Sequence, residues 1–248
     1  MRILAVDTTS RQGSVGAFEA VQAPGATRTL ASVRQLGLVS THSDEAYSTR
    51  LFRQLEFLLA EVKLTTGDFD LFAVAAGPGS FTGLRVGLTA VKGWAEIHGR
   101  PVAALGALEA MAFQVQRREE WIVAVENAGR GQVYSGVYER ASAGEERAFP
   151  LRRVAEDAVL APDELWAHLA SVLGGRGFLF ATPDVKWWNE TASDGPYAAR
   201  AVQEVSRTLA PALAELAWAA LQRGATCDAL TLDAHYVRRS DAELLFKG

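Results

Sequence analysis

Asp7 closes the first apolar run of the chain, Arg2-Ile-Leu-Ala-Val-Asp7, and two hydroxyl residues, Thr8 and Thr9, follow it. An acid at the end of a buried strand could hold a metal–phosphate complex in an α/β cleft, although a turn-stabilising Asp is the commoner arrangement. A second unusual stretch is Ala75-Ala-Gly-Pro-Gly-Ser-Phe-Thr-Gly-Leu-Arg-Val-Gly-Leu-Thr-Ala-Val-Lys-Gly93. Its glycines and proline make a tight turn into a helix that Ser80 or Thr82 would cap, and amides at such a start attract a phosphate or carboxylate. It is not a P-loop, because no Lys-Ser/Thr pair follows its last loop glycine. Gly77, Gly79 and Gly83 are spaced one residue too widely for a dinucleotide fingerprint, and the G-x-S-x-G elbow is absent. On these residues alone a structural turn and an anion site stand level.

Other chemistry has little to work with. His42, His98, His168 and His235 lie far apart and form no metal-binding pair. The single cysteine, Cys227, excludes an internal disulfide and has no evident base beside it. Ser80 has no sequence partner that would make it a nucleophile.

The elements that must position these residues follow from periodicity. Strands are expected at Arg2–Asp7, Ser14–Glu19, about Thr29–Gln35, Phe69–Ala76 and Pro101–Leu105, with helices at about Ser43–Val62 and Thr82–His98. The opening pattern then recurs. Trp121-Ile-Val-Ala-Val-Glu126 ends on an acid, turns through Asn127-Ala-Gly-Arg-Gly-Gln132 and returns as Val133–Glu139. Ile3, Ala5, Val6 and Arg11 match Ile122, Ala124, Val125 and Arg130, and Gly16 and Glu19 match Gly136 and Glu139 one residue further on. This suggests a duplicated α/β architecture with partly parallel sheets. Further on, Arg140–Ala148 reads as a loop, Phe178–Ala181 as a strand, and Pro162–Leu173 and Ala198–Arg223 as helical, the last interrupted by Pro211.

Both early helices carry a second face. Leu84, Leu88, Val91 and Ala95 make an apolar stripe suited to a sheet, and Arg85, Thr89, Lys92 and Glu96 a polar one. Gly83, Gly87, Ala90 and Trp94 make a stripe of mostly small residues that admits another backbone, either an internal helix crossing or a subunit interface. In the earlier helix Tyr47, Leu51, Phe52, Leu55, Leu58, Leu59 and Val62 form the core side. Phe57 points away from it on a line with Ala46, Arg50, Arg53 and Ala60, a composition that favours a partner surface.

Composition narrows the function classes. With 25 Lys+Arg against 29 Asp+Glu the net charge is −4, and the cations come as scattered pairs, which argues against a free-standing nucleic-acid binder. The longest apolar runs, such as Leu71–Ala76 and Leu216–Leu221, are far below the ~20 residues of a membrane span. Only Ile3–Val6 separates Arg2 from Asp7, too short for a signal-peptide core, so a cytoplasmic location is expected.

Ile3-Leu-Ala-Val-Asp-Thr-Thr-Ser10, His42-Ser43 at a helix start, the run Ala76–Gly87 and Lys92-Gly93 resemble the TsaB (YeaZ) family, and Tyr236-Val-Arg-Arg239 extends the likeness. The second half is the weaker match. The resemblance implies a two-domain actin-like fold, with an N-terminal domain at 1–103 and a C-terminal one at 104–248 whose last helix packs back on the first. It also implies a subunit without independent catalysis. Such subunits pair with the catalytic paralogue TsaD and, with the ATPase TsaE, support transfer of a threonylcarbamoyl group to the adenosine beside the anticodon of tRNAs that read codons beginning with A.

The family motif falls on Gly77, Pro78, Gly79, Ser80, Phe81, Thr82, Gly83 and Arg85. The TsaD pattern places Ala107 and Met111 where that paralogue has its metal-binding histidines, so no catalytic or metal-ligating residue is assigned to this chain. ATP or ADP and metal are expected on the partner or at the complex interface, with Asp7, Thr8 and Thr9 as weak cofactor candidates. Partner-facing residues are expected at Tyr47, Arg50, Arg53, Phe57, Gly83, Gly87, Ala90 and Trp94, toward a TsaD-like chain and toward a second copy. Transfer RNA would be met only through the complex, and no membrane is involved.

One departure concerns the second turn. The family's Asp-Ala-Arg, with Gly-Glu two residues on, is here Asn127-Ala-Gly-Arg-Gly-Gln132. Two carboxylates have become amides and an arginine is displaced. Rival readings are a small-molecule kinase or ATPase of the same superfamily with Asp7 at the phosphates, a peptidase, and direct tRNA binding.

Overall fold

A computed structural model describes residues 1–22, 31–117, 119–140, 151–235 and 237. Two compact units divide them. One joins Met1–Ala107 to Thr208–His235, and the other is Leu108–Arg207.

The first unit is built on a five-stranded sheet ordered β3-β2-β1-β4-β5. Its strands are β1 (Arg2–Asp7), β2 (Gln12–Gln22), β3 (Ala31–His42), β4 (Leu71–Gly77) and β5 (Val102–Gly106). β1, β2 and β3 form an antiparallel meander, while β4 and β5 run parallel to β1. The connections to the parallel strands are helical, as such crossovers require. They are α1 (Tyr47–Val62) and α2 (Phe81–His98). Leu4 and Val6 share a core with Leu51, Leu55 and Leu58 of α1 and Leu84, Leu88 and Val91 of α2. Ile3 and Ala5 are fully buried too, and strand alternation turns them to the opposite face. A helix from much later in the chain, Ala210–Gln222, packs against β1, β2, β4 and β5.

The second unit repeats the plan. It carries α3 (Ala107–Phe113), β6 (Trp121–Gly129), β7 (Gln132–Arg140), β8 (Leu151–Arg153), β9 (Ala158–Leu160), α4 (Pro162–Leu173), β10 (Leu179–Thr182), α5 (Val185–Ala192) and β11 (Val202–Glu204); the later helix is α6. Its sheet is ordered β11-β10-β6-β7-β8, with β9 also paired to β7. β6, β7 and β8 are antiparallel, and β10 and β11 parallel to β6. The sequence matches fall in equivalent places, since Gly16 pairs with Ala5 just as Gly136 pairs with Ala124. The fold is a duplicated actin-like one. The helix ending each repeat belongs almost wholly to the other unit, α3 from Leu108 onward to the second and α6 to the first.

Several expectations change. The helical stretch read at Ala198–Arg223 is a helix only over Ala210–Gln222, with Pro211 in its first turn, where a missing N–H costs nothing. Val202–Glu204 is instead a parallel strand beside β10. β3 extends to His42, well past the expected Gln35. α3, α5, β8 and β9 were not expected. The start of the strand read at Thr29–Gln35, most of the loop read at Arg140–Ala148, and Tyr236, Arg238 and Arg239 of the family match lie outside the described residues.

A sealed strand end and an open helical face

Asp7 ends β1 and is 1% exposed. Its Oδ1 accepts hydrogen bonds from the Thr9 amide (2.9 Å) and the Thr9 hydroxyl (2.6 Å). Oδ2 is buried without a partner among the described residues. Burial pushes the carboxyl up to about 6, against the two Thr9 bonds, which pull it down.

The turn after Asp7 is covered by the start of α2. The Ser80 amide donates to the Thr9 carbonyl at 2.6 Å. The Thr8 hydroxyl donates to the Gly83 carbonyl at 2.8 Å. Ser80 caps the helix, its side chain accepting the Gly83 amide at 3.2 Å. A Cβ at Gly79 would lie 2.5 Å from the Thr9 carbonyl oxygen, and one at Gly83 or Gly87 would overlap Thr8. The close approach read in the small-residue stripe is therefore made inside the unit, to the β1–β2 turn. Asp7, Thr8 and Thr9, expected as cofactor candidates, are all buried in this chain, Thr8 and Thr9 against the start of α2.

Tyr47 and Arg50 also turn inward. The Tyr47 hydroxyl donates to the Ser10 carbonyl at 2.8 Å. Arg50 is 2% exposed, stacks 3.9 Å over the Tyr47 ring and donates to the Arg11 carbonyl at 2.8 Å and the Thr41 hydroxyl at 3.3 Å. Burial and the nearby Asp7 raise the Tyr47 phenol far above its ordinary range, with Arg50 opposing. These contacts tie α1 to the β1–β2 turn and the end of β3. Tyr47, Arg50, Gly83, Gly87 and Ala90, expected to face a partner, are all buried in this chain.

The open face of the two helices is a different set. Phe57 is 60% exposed and Arg53 is exposed in an ion pair with Glu45. Trp94 is half-buried, with Phe52 edge-on to it at 6.4 Å. Phe52, read as core from its spacing, is 52% exposed, and Ile97 on the last turn of α2 is 76% exposed. Its signal was already in the sequence, since Ile97 falls three residues after Trp94 on one helix face. Of the family motif, Gly77 and Pro78 are buried, Gly79 is half-buried, and Ser80, Phe81, Thr82 and Arg85 are exposed, Arg85 lying 4.0 Å over the Phe81 ring. A separate groove of about 640 Å³ runs between β3 and the far end of α1, with Leu36, Phe57 and Val62 along it.

The second unit answers Asp7 with Glu126, at the equivalent place on β6. Arg207 donates to it at 2.9 Å. In the turn that departs from the family, Asn127 Oδ1 accepts the Gly129 amide at 2.7 Å, and Arg130 sits at φ 57. Ala107 and Met111 are both buried. Among the described residues no three His, Cys, Asp or Glu side chains group as a metal site, and no helix is long and apolar enough to cross a membrane.

The paired sheets and the sealed first turn define an actin-like chain. The family profile described as "TsaD: tRNA N6-adenosine threonylcarbamoyltransferase" matches residues 27–171, more than half of it. The chain belongs to this family, on its TsaB/YeaZ branch. It is 33% identical to Bacillus subtilis tRNA threonylcarbamoyladenosine biosynthesis protein TsaB over 99 residues, 40% of this chain and 43% of that one. To the Escherichia coli protein of the same name it is 27% identical over 145 residues, 56% of each. The matched stretches thus span about half the length of these relatives. YeaZ from Pseudomonas aeruginosa has the same fold, with a TM-score of 0.69 at 24% identity, over 95% of this chain and 99% of that one.

Proposed function

We propose that this chain acts in tRNA threonylcarbamoyladenosine formation as a subunit that is not itself catalytic, and that it pairs with a TsaD-like catalytic chain through the outer faces of α1 and α2. The observation that carries this reading is the open apolar ridge of Phe52, Trp94 and Ile97 on adjacent helices, where Phe52 stands edge-on to Trp94. Aromatic residues with an arginine at the edge are the composition of an interface core. The relatives' names supply the pathway. A TsaE-like ATPase completes the complex, a second copy competes for the same helical face, tRNA is met through the assembly, and the setting is the cytoplasm. A partner that binds only the folded complex gains order by mass action.

The test is calorimetric titration of the chain with a TsaD-like protein. Ile97→Asp and Phe52→Asp place a charge in the proposed interface core and are expected to weaken association at least tenfold, while Lys186→Asp in the second unit changes nothing. Unchanged affinity in both helical variants would remove the interface, and ATP hydrolysis by the isolated chain would remove the non-catalytic role.

A further inference from the structure

The hydrogen bonds of the buried Asp7 carboxylate point to a structural task. Asp7 Oδ1 holds both the amide and the hydroxyl of Thr9. Thr9 in turn presents its carbonyl to the Ser80 amide, immediately before α2. The neighbouring Thr8 hydroxyl reaches the Gly83 carbonyl, and Gly83 and Gly87 let that contact close. The packing of α2 on its sheet does not fix the helix by itself. Leu84, Leu88, Val91 and Ala95 decide which side faces the sheet, but apolar burial is non-directional and tolerates sliding and tilting. The directional bonds to α2 from this turn all sit at its first turn, while at the other end His98 meets the Thr66 hydroxyl at 3.0 Å and Trp94 packs on Phe72, so both ends share in setting the helix.

We propose that Asp7 is a positioning residue: by ordering Thr8 and Thr9 it fixes the start of α2 and so shares in setting the direction in which the far end of that helix presents Trp94 and Ile97. From Gly83 to Ile97 the helix rises about 21 Å, so a tilt of about 10° at the latched end moves the far end by about 4 Å. That is enough to misplace a packed aromatic contact. The part of this inference that concerns presentation rests on the partner reading above; the latch itself does not.

Amide hydrogen exchange on the full chain tests the latch. Asp7→Ala removes the acceptor and is expected to speed exchange of the Ser80, Gly83 and Leu84 amides at least tenfold while leaving α4 unchanged. Asp7→Asn keeps an acceptor oxygen at Oδ1 and is expected to restore most of the protection. Should Asp7→Ala fail to fold, Thr8→Val removes only the hydroxyl bond to Gly83 and is expected to speed the same amides about threefold. Wild-type protection in Asp7→Ala or in Thr8→Val, or an Asp7→Asn variant as unprotected as Asp7→Ala, overturns the proposal. Association with the TsaD-like chain is then expected to weaken about fivefold in Asp7→Ala and to recover in Asp7→Asn. If Ile97→Asp and Phe52→Asp both bind that chain as wild type does, the partner reading falls, and the exchange result alone decides the latch.

Discussion

Asp7 and Glu126 hold equivalent positions on β1 and β6, yet Glu126 has an arginine against it and, among the described residues, Asp7 has only the hydroxyl and amide of Thr9. Burial without a cation holds the Asp7 carboxyl at about 6, above its unfolded value of 3.8. The folded state therefore binds this proton more tightly than the unfolded one. The resulting stabilisation is complete below the unfolded value and is lost as pH rises toward 6, a difference of about 3 kcal/mol. Asp7→Asn lacks this titration. Urea unfolding at stepped pH is expected to show wild type losing about that much relative to the variant between pH 4 and 7, and parallel curves would contradict the assignment. The glycines of α2 give a second contrast. A Cβ at Gly83 overlaps the Thr8 backbone, whereas one at Gly93 meets nothing within 4 Å. Gly83→Ala should cost about 2 kcal/mol or more, and Gly93→Ala should add about 0.5–1 kcal/mol in the same helix. Sequence marked all of these positions as unusual. It did not say which backbone the glycines admit, because that neighbour, Thr8, lies some seventy residues earlier in the chain.

Elements with a long period were readable and short ones were not. β1, β4, α1 and α2 show alternation or a helical stripe over enough residues to be recognised, and their faces pack as those stripes require. β8, β9 and β11 have three residues each, too few to show any period, and exist because a neighbouring strand pairs with them. The apolar, Ala-rich stretch from Ala198 reads as helical by propensity, broken or kinked at Pro211, but pairing with β10 claims Val202–Glu204. What remains, α6, covers the face of the first sheet that α1 and α2 do not, burying Leu213 and Leu216 completely. A fragment of residues 1–107 lacks that helix and leaves the outer face of β1 bare. It is expected to give no cooperative thermal transition by circular dichroism; a sharp one would show that α6 is dispensable to the first unit.

At the scale of the molecule, one plan of three antiparallel strands, two crossovers and a closing helix is used twice, and each closing helix joins the other unit. The duplication was visible in six matched residues because the paired strands keep one register in both halves. The interface was only half visible. Helical spacing pointed to α1 and α2, but it could not separate a small-residue face that closes on its own turn from an apolar ridge left open beside it. On the reading proposed here, the open ridge of α1 and α2 meets another protein. Reconstitution decides this most directly: tRNA, a threonylcarbamoyl donor and the TsaD-like and TsaE-like proteins, with and without this chain. The account predicts modification of the adenosine only when this chain is present, none from this chain alone, and a loss with Ile97→Asp. Full modification in its absence would contradict it.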